Sequence, residues 1–324
     1  MITKHVIGRL GNQMFQYATV RAFQLKYRPN EKIILDFSEV YSRDNEGYRE
    51  ELSCFNLENY HCGKMGMTLK QKIANFNLLI IKFLVLSKSK ISHSDNYNQI
   101  MYKVENKIQT KLNKYGLYSF RLGYYDFCDS KAKNLCFFGT FESAKYFDDI
   151  KEQLQKEFTP KYDILSKNFS LYEKIKNTNS VCVTIRRGDF VNNAEYKKNL
   201  YVCTPEYFSI AIKRMKKEID NPTFFVFSDD VKWCRENMSF PKNTYFESGD
   251  DPVWEKIRLM YSCKHFIISN STFSWWAQYL SRNEDKVVIA PSRWGNQTYK
   301  ENGKIDIYQD SWILIDIKEE NSNE

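Results

Sequence analysis

Arg186, Arg187 and Asp189, with Gly188 between them, are the residues of this chain best placed to do chemistry. They follow Val181-Cys182-Val183-Thr184-Ile185, a run without charge that reads as a short strand buried in a sheet. In open α/β sheets the ligand crevice lies beyond the carboxyl ends of the strands. Arginine in such a place suits a phosphate, because its planar fork donates two parallel hydrogen bonds and keeps its charge at any physiological pH. The plainer alternative is a turn closed by a surface ion pair, since Gly and Asp commonly follow strands.

Two further strand-like runs end in polar clusters, Thr223 to Phe227 in Ser228-Asp229-Asp230 and His265 to Ile268 in Ser269-Asn270-Ser271-Thr272. If the ligand is a nucleotide sugar, its diphosphate leaves with growing negative charge while the sugar becomes oxocarbenium-like. Asp-x-Asp, which holds a metal in many transferases, occurs nowhere in the sequence. Charge stabilisation then falls to Arg186, with Ser271 and Thr272 as donors at a helix N-terminus. The same serines and threonine also read as an ordinary helix cap. Asp229 and Asp230 suit a guanine edge or ribose hydroxyls, or they cap the helix around Trp233. Asp189 is the carboxylate nearest the arginine in sequence and a candidate general base, unless it holds an arginine in place, because a salt-bridged carboxylate is a poor base. The four histidines, at 5, 61, 93 and 265, have no evident catalytic setting.

The elements that must position these groups alternate in type. His5-Val6-Ile7 reads as a strand, Gly8 to Gln13 as a glycine turn, and Met14, Phe15, Ala18, Ala22 and Leu25 as one apolar face of a helix. That opening is the start of a nucleotide-binding half-domain, where N–H groups at the helix start attract anions. Ile33 to Asp36, Leu135 to Phe138 and Val287 to Ala290 add strands, and Thr204 caps a helix with Pro205 first and Glu206 in its first turn. Strand and helix in alternation predict parallel, doubly wound sheets. Residues 40 to 130 resist such organisation. The proline and the change of pattern near Thr159 to Lys167 place a boundary that divides the chain into 1–162 and 163–324.

A chain of 324 residues with a net charge of +8 has room for two cores and favours anionic ligands. Eight cysteines form no Cys-x-x-Cys pair, so no zinc site or disulfide framework is indicated, and a reducing cytosol is expected. Phe76 to Leu86 is apolar but too short to span a bilayer. It reads as a buried core helix, or, with Lys70, Lys72, Lys88 and Lys90 around it, as an interfacial one. No basic cluster or motif points to nucleic acid.

Taken together, Gly8 to Ala18, Gly139 to Phe147, Ile185-Arg186-Arg187-Gly188-Asp189-Phe190, Phe227 to Asp230 and Ser269 to Trp276 closely resemble, in order, the blocks of the α-1,2-fucosyltransferases of glycosyltransferase family 11. The resemblance implies an α/β protein of two Rossmann-like domains (the GT-B architecture) with the active site in the cleft between them. The N-terminal domain would be the acceptor side and the C-terminal one would bind the GDP-sugar. It implies inverting, metal-independent transfer of fucose from GDP-fucose to the 2-hydroxyl of a terminal galactose-type sugar in glycan or O-antigen synthesis, with no cofactor. Arg186 carries over as the essential diphosphate contact, Asn12 with Gly11 and Gln13 as donor-site lining, and Asp189 as motif aspartate. Thr184, Asp229, Asp230, Asn270, Ser271 and Thr272 complete the expected donor site. Thr184 and Phe190 stand where the family usually has histidine and tyrosine, so the histidine is only supportive or this member has an altered donor or rate. The expected partners are GDP-fucose and an oligosaccharide, lipid-linked in the fullest form of the reading, with peripheral contact at the inner face of the plasma membrane. The alternatives are another nucleotide sugar or linkage, or a non-catalytic nucleotide-sugar or glycan-binding protein.

Overall fold

The computed structural model describes residues 1–91, 97–120, 123–295 and 306–317; the polar tail from Lys318 to Glu324 lies outside the described residues. Two compact units are present. The first, built from Met1–Ser53, Leu57–Glu157 and residues 306–308, carries β1 (Ile2–His5), α1 (Leu10–Tyr27), β2 (Ile33–Asp36), α2 (Ser38–Ser42), β3 (Tyr60–Cys62), α3 (Leu69–Ile91), α4 (Tyr97–Lys114), β4 (Leu117–Ser119), β5 (Leu135–Phe138) and α5 (Lys151–Glu157). Its strands are all parallel, in the order β3-β2-β1-β5-β4.

The second unit, built from Cys54–Asn56 and residues 158–295 and 309–317, carries α6 (Phe169–Lys176), β6 (Asn179–Ile185), α7 (Gly188–Asn192), α8 (Ala194–Leu200), α9 (Pro205–Glu218), β7 (Pro222–Ser228), α10 (Val231–Asn237), β8 (Thr244–Phe246), α11 (Val253–Tyr261), β9 (His265–Ile267), α12 (Thr272–Leu280), β10 (Val288–Pro291) and β11 (Ile313–Ile315). Its sheet, also wholly parallel, has the order β11-β10-β9-β6-β7-β8. Counted from β6, this is the Rossmann order, and the direction of progression reverses between β6 and β9. Val181, Cys182 and Val183 of β6 and Phe224, Phe225 and Val226 of β7 are buried in succession, so these central strands read as continuous apolar runs rather than alternating ones.

Both units are therefore α/β with parallel sheets, as the alternation of elements predicts. Three local differences have physical causes. β1 ends at His5 rather than spanning His5 to Ile7, because the Gln16 side chain takes both backbone groups of Ile7, donating to its oxygen at 2.7 Å and accepting its N–H at 3.0 Å. α1 is buried almost all round, with Gln13, Gln16, Arg21 and Gln24 inside, so its apolar stripe does not mark its only packed side. Buried Arg21 is matched by Glu157 at 2.7 Å, and Tyr17 donates to the same carboxylate at 2.5 Å.

The third difference concerns α3, which is not a buried core helix. Leu78 and Gln71 on its inner face are buried, with Leu78 packed beside Leu112 and Leu117. Its other face leaves large apolar side chains in solvent, among them Phe76 at 62% and Phe83 at 67% exposure. Apolar residues surround this helix, whereas the sheet and α4 cover only one side.

Candidate active site

Because β6 is a central strand and the order in which strands are added reverses beside it, the segment after Ile185 emerges at the switch point of the second sheet. There the Arg186 guanidinium is gripped by two carboxylates, Asp229 at 2.6 Å and Asp189 at 3.2 Å. Asp229 also accepts the backbone N–H of Arg187 at 2.8 Å, so one carboxylate ties the end of β7 to the turn after β6. The fit leaves no room for a side chain: a Cβ on Gly188 would lie 2.5 Å from the Asp229 carboxylate. Arg187 turns the other way. Its guanidinium lies 3.2 Å from the centre of the Trp233 ring and pairs with Asp230 at 3.3 Å, while the other Asp230 oxygen accepts the Trp233 N–H at the start of α10.

Asp230 thus takes the helix-capping role that the sequence left open and also pairs with the Arg187 side chain, and Asp229 grips the Arg186 guanidinium and the backbone N–H of Arg187. Neither was expected to touch an arginine. Behind them, Glu247 is buried with Lys256 3.1 Å away and accepts the N–H of Ser228. Burial raises its carboxyl above the usual range, with Lys256 opposing.

The β9 turn is braced rather than open. Thr184 is buried on β6 and its hydroxyl accepts the Ser269 N–H at 3.1 Å, fixing the end of β9 against β6. Asn270 is buried, and its amide donates to the carbonyls of Leu200 and Trp294 at 2.8 and 2.9 Å, holding the loops that follow α8 and β10. Ser271 stands at the N-cap position of α12 without a side-chain cap bond, and Thr272 opens the helix. Among these residues the structure brings Arg186, Asp189, Asp229 and Asp230 into one ionic cluster, and gives Thr184 and Asn270 internal partners.

In the first unit the Gly8–Gln13 turn follows β1. Gly8 adopts a φ of +82°, and a Cβ there would meet Asn12 at 2.8 Å, so the tight entry into α1 needs glycine. Gln13 donates to the oxygens of Gly8 and Arg49. The N–H groups of Asn12 and Gln13 bond back to Arg9, and that of Leu10 meets Glu51. An acidic side chain of the protein itself therefore sits at the helix start where the sequence suggested an external anion. Burial pushes the Glu51 carboxyl up to about 7, opposed by Arg9. The Asn12 amide reaches Glu142 at 3.4 Å, joining the turns after β1 and β5, the neighbours at which this sheet reverses. Glu51 and Glu142 carry no signal in sequence spacing; the fold alone brings them to this turn. Among the described residues, no group of three or more His, Cys, Asp or Glu could hold a metal ion.

A family model described as glycosyl transferase family 11 matches residues 75–316. The chain belongs to that family. It is a glycosyltransferase, and the ionic cluster after β6 falls within the matched span. Its likeness to whole relatives extends further. It is 30% identical over 320 residues to the O-antigen biosynthesis glycosyltransferase WbnK of Escherichia coli, covering 95% of this chain and 98% of that one. It is 31% identical over 326 residues to an alpha-1,2-colitosyltransferase of Escherichia coli, covering 98% and 99%. A galactoside alpha-(1,2)-fucosyltransferase 1 of Saimiri boliviensis boliviensis is 28% identical over 158 residues, 46% of this chain and 43% of that one. No described helix is long and apolar enough to cross a membrane.

Proposed function

We propose that this family 11 member transfers fucose from GDP-fucose to the 2-hydroxyl of a terminal galactose-type sugar, with inversion and without a metal, in the assembly of a lipid-linked surface glycan. The observation that carries the reading is Arg186, held by Asp189 and Asp229 at the switch point of a Rossmann-ordered sheet. Relatives named for O-antigen biosynthesis and for alpha-1,2 transfer support the product class.

In this reaction the acceptor oxygen forms a bond to the sugar's anomeric carbon on the face opposite the nucleotide. The bond from that carbon to the diphosphate breaks, GDP leaves with the electron pair, and the proton of the acceptor hydroxyl passes to the departing diphosphate or to solvent. A guanidinium already locked by two carboxylates meets the growing charge without reorganising. The described ion pairs of Arg186 use two of its five N–H donors, which leaves a fork for phosphate oxygens. Asp189 then acts as the organiser of Arg186 rather than as the base, because it faces that guanidinium. Thr184 acts through the strand ends it pins together, so the loss of the family histidine is compatible with turnover.

A second donor is favoured by a specific observation: the relative named for colitose transfer is as similar to this chain as the one named for O-antigen synthesis. Colitose is fucose lacking its 3-hydroxyl, so the two donors differ by one polar group. The test is GDP release from GDP-fucose and from GDP-colitose, in EDTA, with and without a panel of galactosides. Acceptor-dependent release from GDP-fucose in EDTA supports the reading. Release only from GDP-colitose moves the donor to that sugar, and tight GDP binding with no release from either refutes transfer of this type.

A further inference from the structure

Leu69, Ile73, Phe76, Ile80 and Phe83 recur along α3 at steps of four, three, four and three residues, which places them on one stripe of the helix. All five are exposed, from 43% at Ile80 to 73% at Leu69, and Leu79 and Leu84 widen the stripe at 54% and 53%. Monomeric soluble proteins rarely leave so continuous an apolar face in water. The stripe is not needed to hold α3 in the fold, because Leu78 and Gln71 on the opposite face do that.

Charge identifies what covers it. The α3 sequence contains five lysines and no Asp or Glu, and Lys70 and Lys72 in its first turn are exposed. Next to it, α4 carries Lys103, Lys107, Lys111 and Lys114, all exposed and spaced four, four and three residues along one face. The one acidic side chain of α4, Glu105, is buried and paired with Lys82 of α3 at 2.9 Å, so it does not offset those lysines. An apolar stripe beside lysine rows suits anionic headgroups over an acyl boundary. Two such cationic surfaces brought together as a dimer would repel each other. With no described helix able to span a bilayer, the helix would lie on its surface.

We propose that α3 docks in the interface of an anionic lipid bilayer, with its Leu69–Phe83 stripe among the acyl chains and the α4 lysines against the headgroups. The inference stands independently of which sugar the enzyme transfers.

The test is flotation of the full chain with vesicles of phosphatidylcholine alone or of phosphatidylcholine with phosphatidylglycerol. The expected result is flotation with the anionic vesicles, weakened by salt. Combined Phe76→Ser, Ile80→Ser and Phe83→Ser should lower binding on the order of a hundredfold. Lys103→Gln with Lys107→Gln should lower it about twenty-five-fold, at about fivefold per lysine. All the altered residues are exposed, so thermal melting and turnover of a soluble galactoside should stay within about twofold of the parent. Wild-type chain left at the bottom with anionic vesicles overturns the proposal. So does flotation that ignores both sets of substitutions, or a dimer in sedimentation that the serine variant converts to monomer while vesicles bind neither form.

Discussion

After β1 the chain turns through Gly8 to Gln13, where neutral amides do most of the holding: Gln13 grips Gly8 and Arg49, Gln16 grips Ile7, and Asn12 reaches Glu142. After β6 it turns through Arg186 to Asp189, where charges do the holding through Asp189, Asp229 and Asp230. Both turns leave the central strand of a parallel sheet, so backbone architecture does not explain the difference. An amide network fixes geometry at little electrostatic cost, which suits a rigid wall. An ionic cluster keeps a permanent cation aimed where negative charge will grow, which suits the leaving diphosphate of the proposed reaction. The unusual charge of the first unit lies elsewhere, at Lys4, buried in β1 with its ammonium donating to the His5 carbonyl and 5.6 Å from the Phe141 ring.

The comparison breaks most severely if Arg186 is dispensable. Arg186→Ala should lower kcat/KM for the donor by about a thousandfold or more, about 4 kcal/mol of transition-state stabilisation, while circular dichroism stays that of the parent. Normal turnover by that variant would remove the argument that charge, rather than shape, distinguishes the second turn.

Gly188→Ala comes next. Its methyl would displace Asp229 and with it the arginine, and about a hundredfold loss in kcat is expected, since small misplacements of a catalytic group have that effect. Rescue by nothing but restoration of glycine would mark the cause as steric, and activity close to that of the parent would show that Asp229 tolerates movement.

Lys4→Met tests the other unit. Loss of hydration pushes the Lys4 pKa from 10.5 down to about 7, so between those values the unfolded chain holds a proton that the folded chain has released. Folding stability therefore rises with pH through that window, and the folded state carries its full penalty below pH 7. The methionine variant should be more stable by about 2–4 kcal/mol at neutral pH and below. The gain should shrink towards zero by about pH 10. Thermal melting across that range checks both magnitude and sign; a gain independent of pH would mean that folding does not shift the Lys4 pKa.

Asp189→Asn sharpens the comparison by the smallest amount. As an organiser of Arg186 it should cost about tenfold in kcat/KM and leave the acid limb of the pH–rate profile in place. A loss of about a thousandfold with that limb abolished would instead make Asp189 the base.

Much of this protein was legible before its fold was known. β2, β5 and, in the second unit, β6, β7, β9 and β10 announce themselves as apolar runs, and Pro205 behind Thr204 marks the start of α9 where the structure has it. The three-residue strands β3, β4, β8 and β11 escaped because so few residues carry no period. Of the site, Arg186 and Asp189 were legible from their place at a strand end. The grip of Asp229 on Arg186 was not, since it joins residues far apart in sequence that meet only because β6 and β7 are parallel and in register.

What the sequence determined alone is composition-level and local: parallel α/β units, a glycine turn before α1, a cationic turn after β6, and the absence of Asp-x-Asp. Only the tertiary structure decided which donors and acceptors are already matched within the protein. It gave Asn270 and Thr184 to the support of neighbouring loops and strands, seated Glu51 at the start of α1, and left the outer face of α3 in water. The physical reason is that hydrogen-bond partners and burial are set by distance in space, and an apolar segment reads the same in sequence whether one side of it is covered or both.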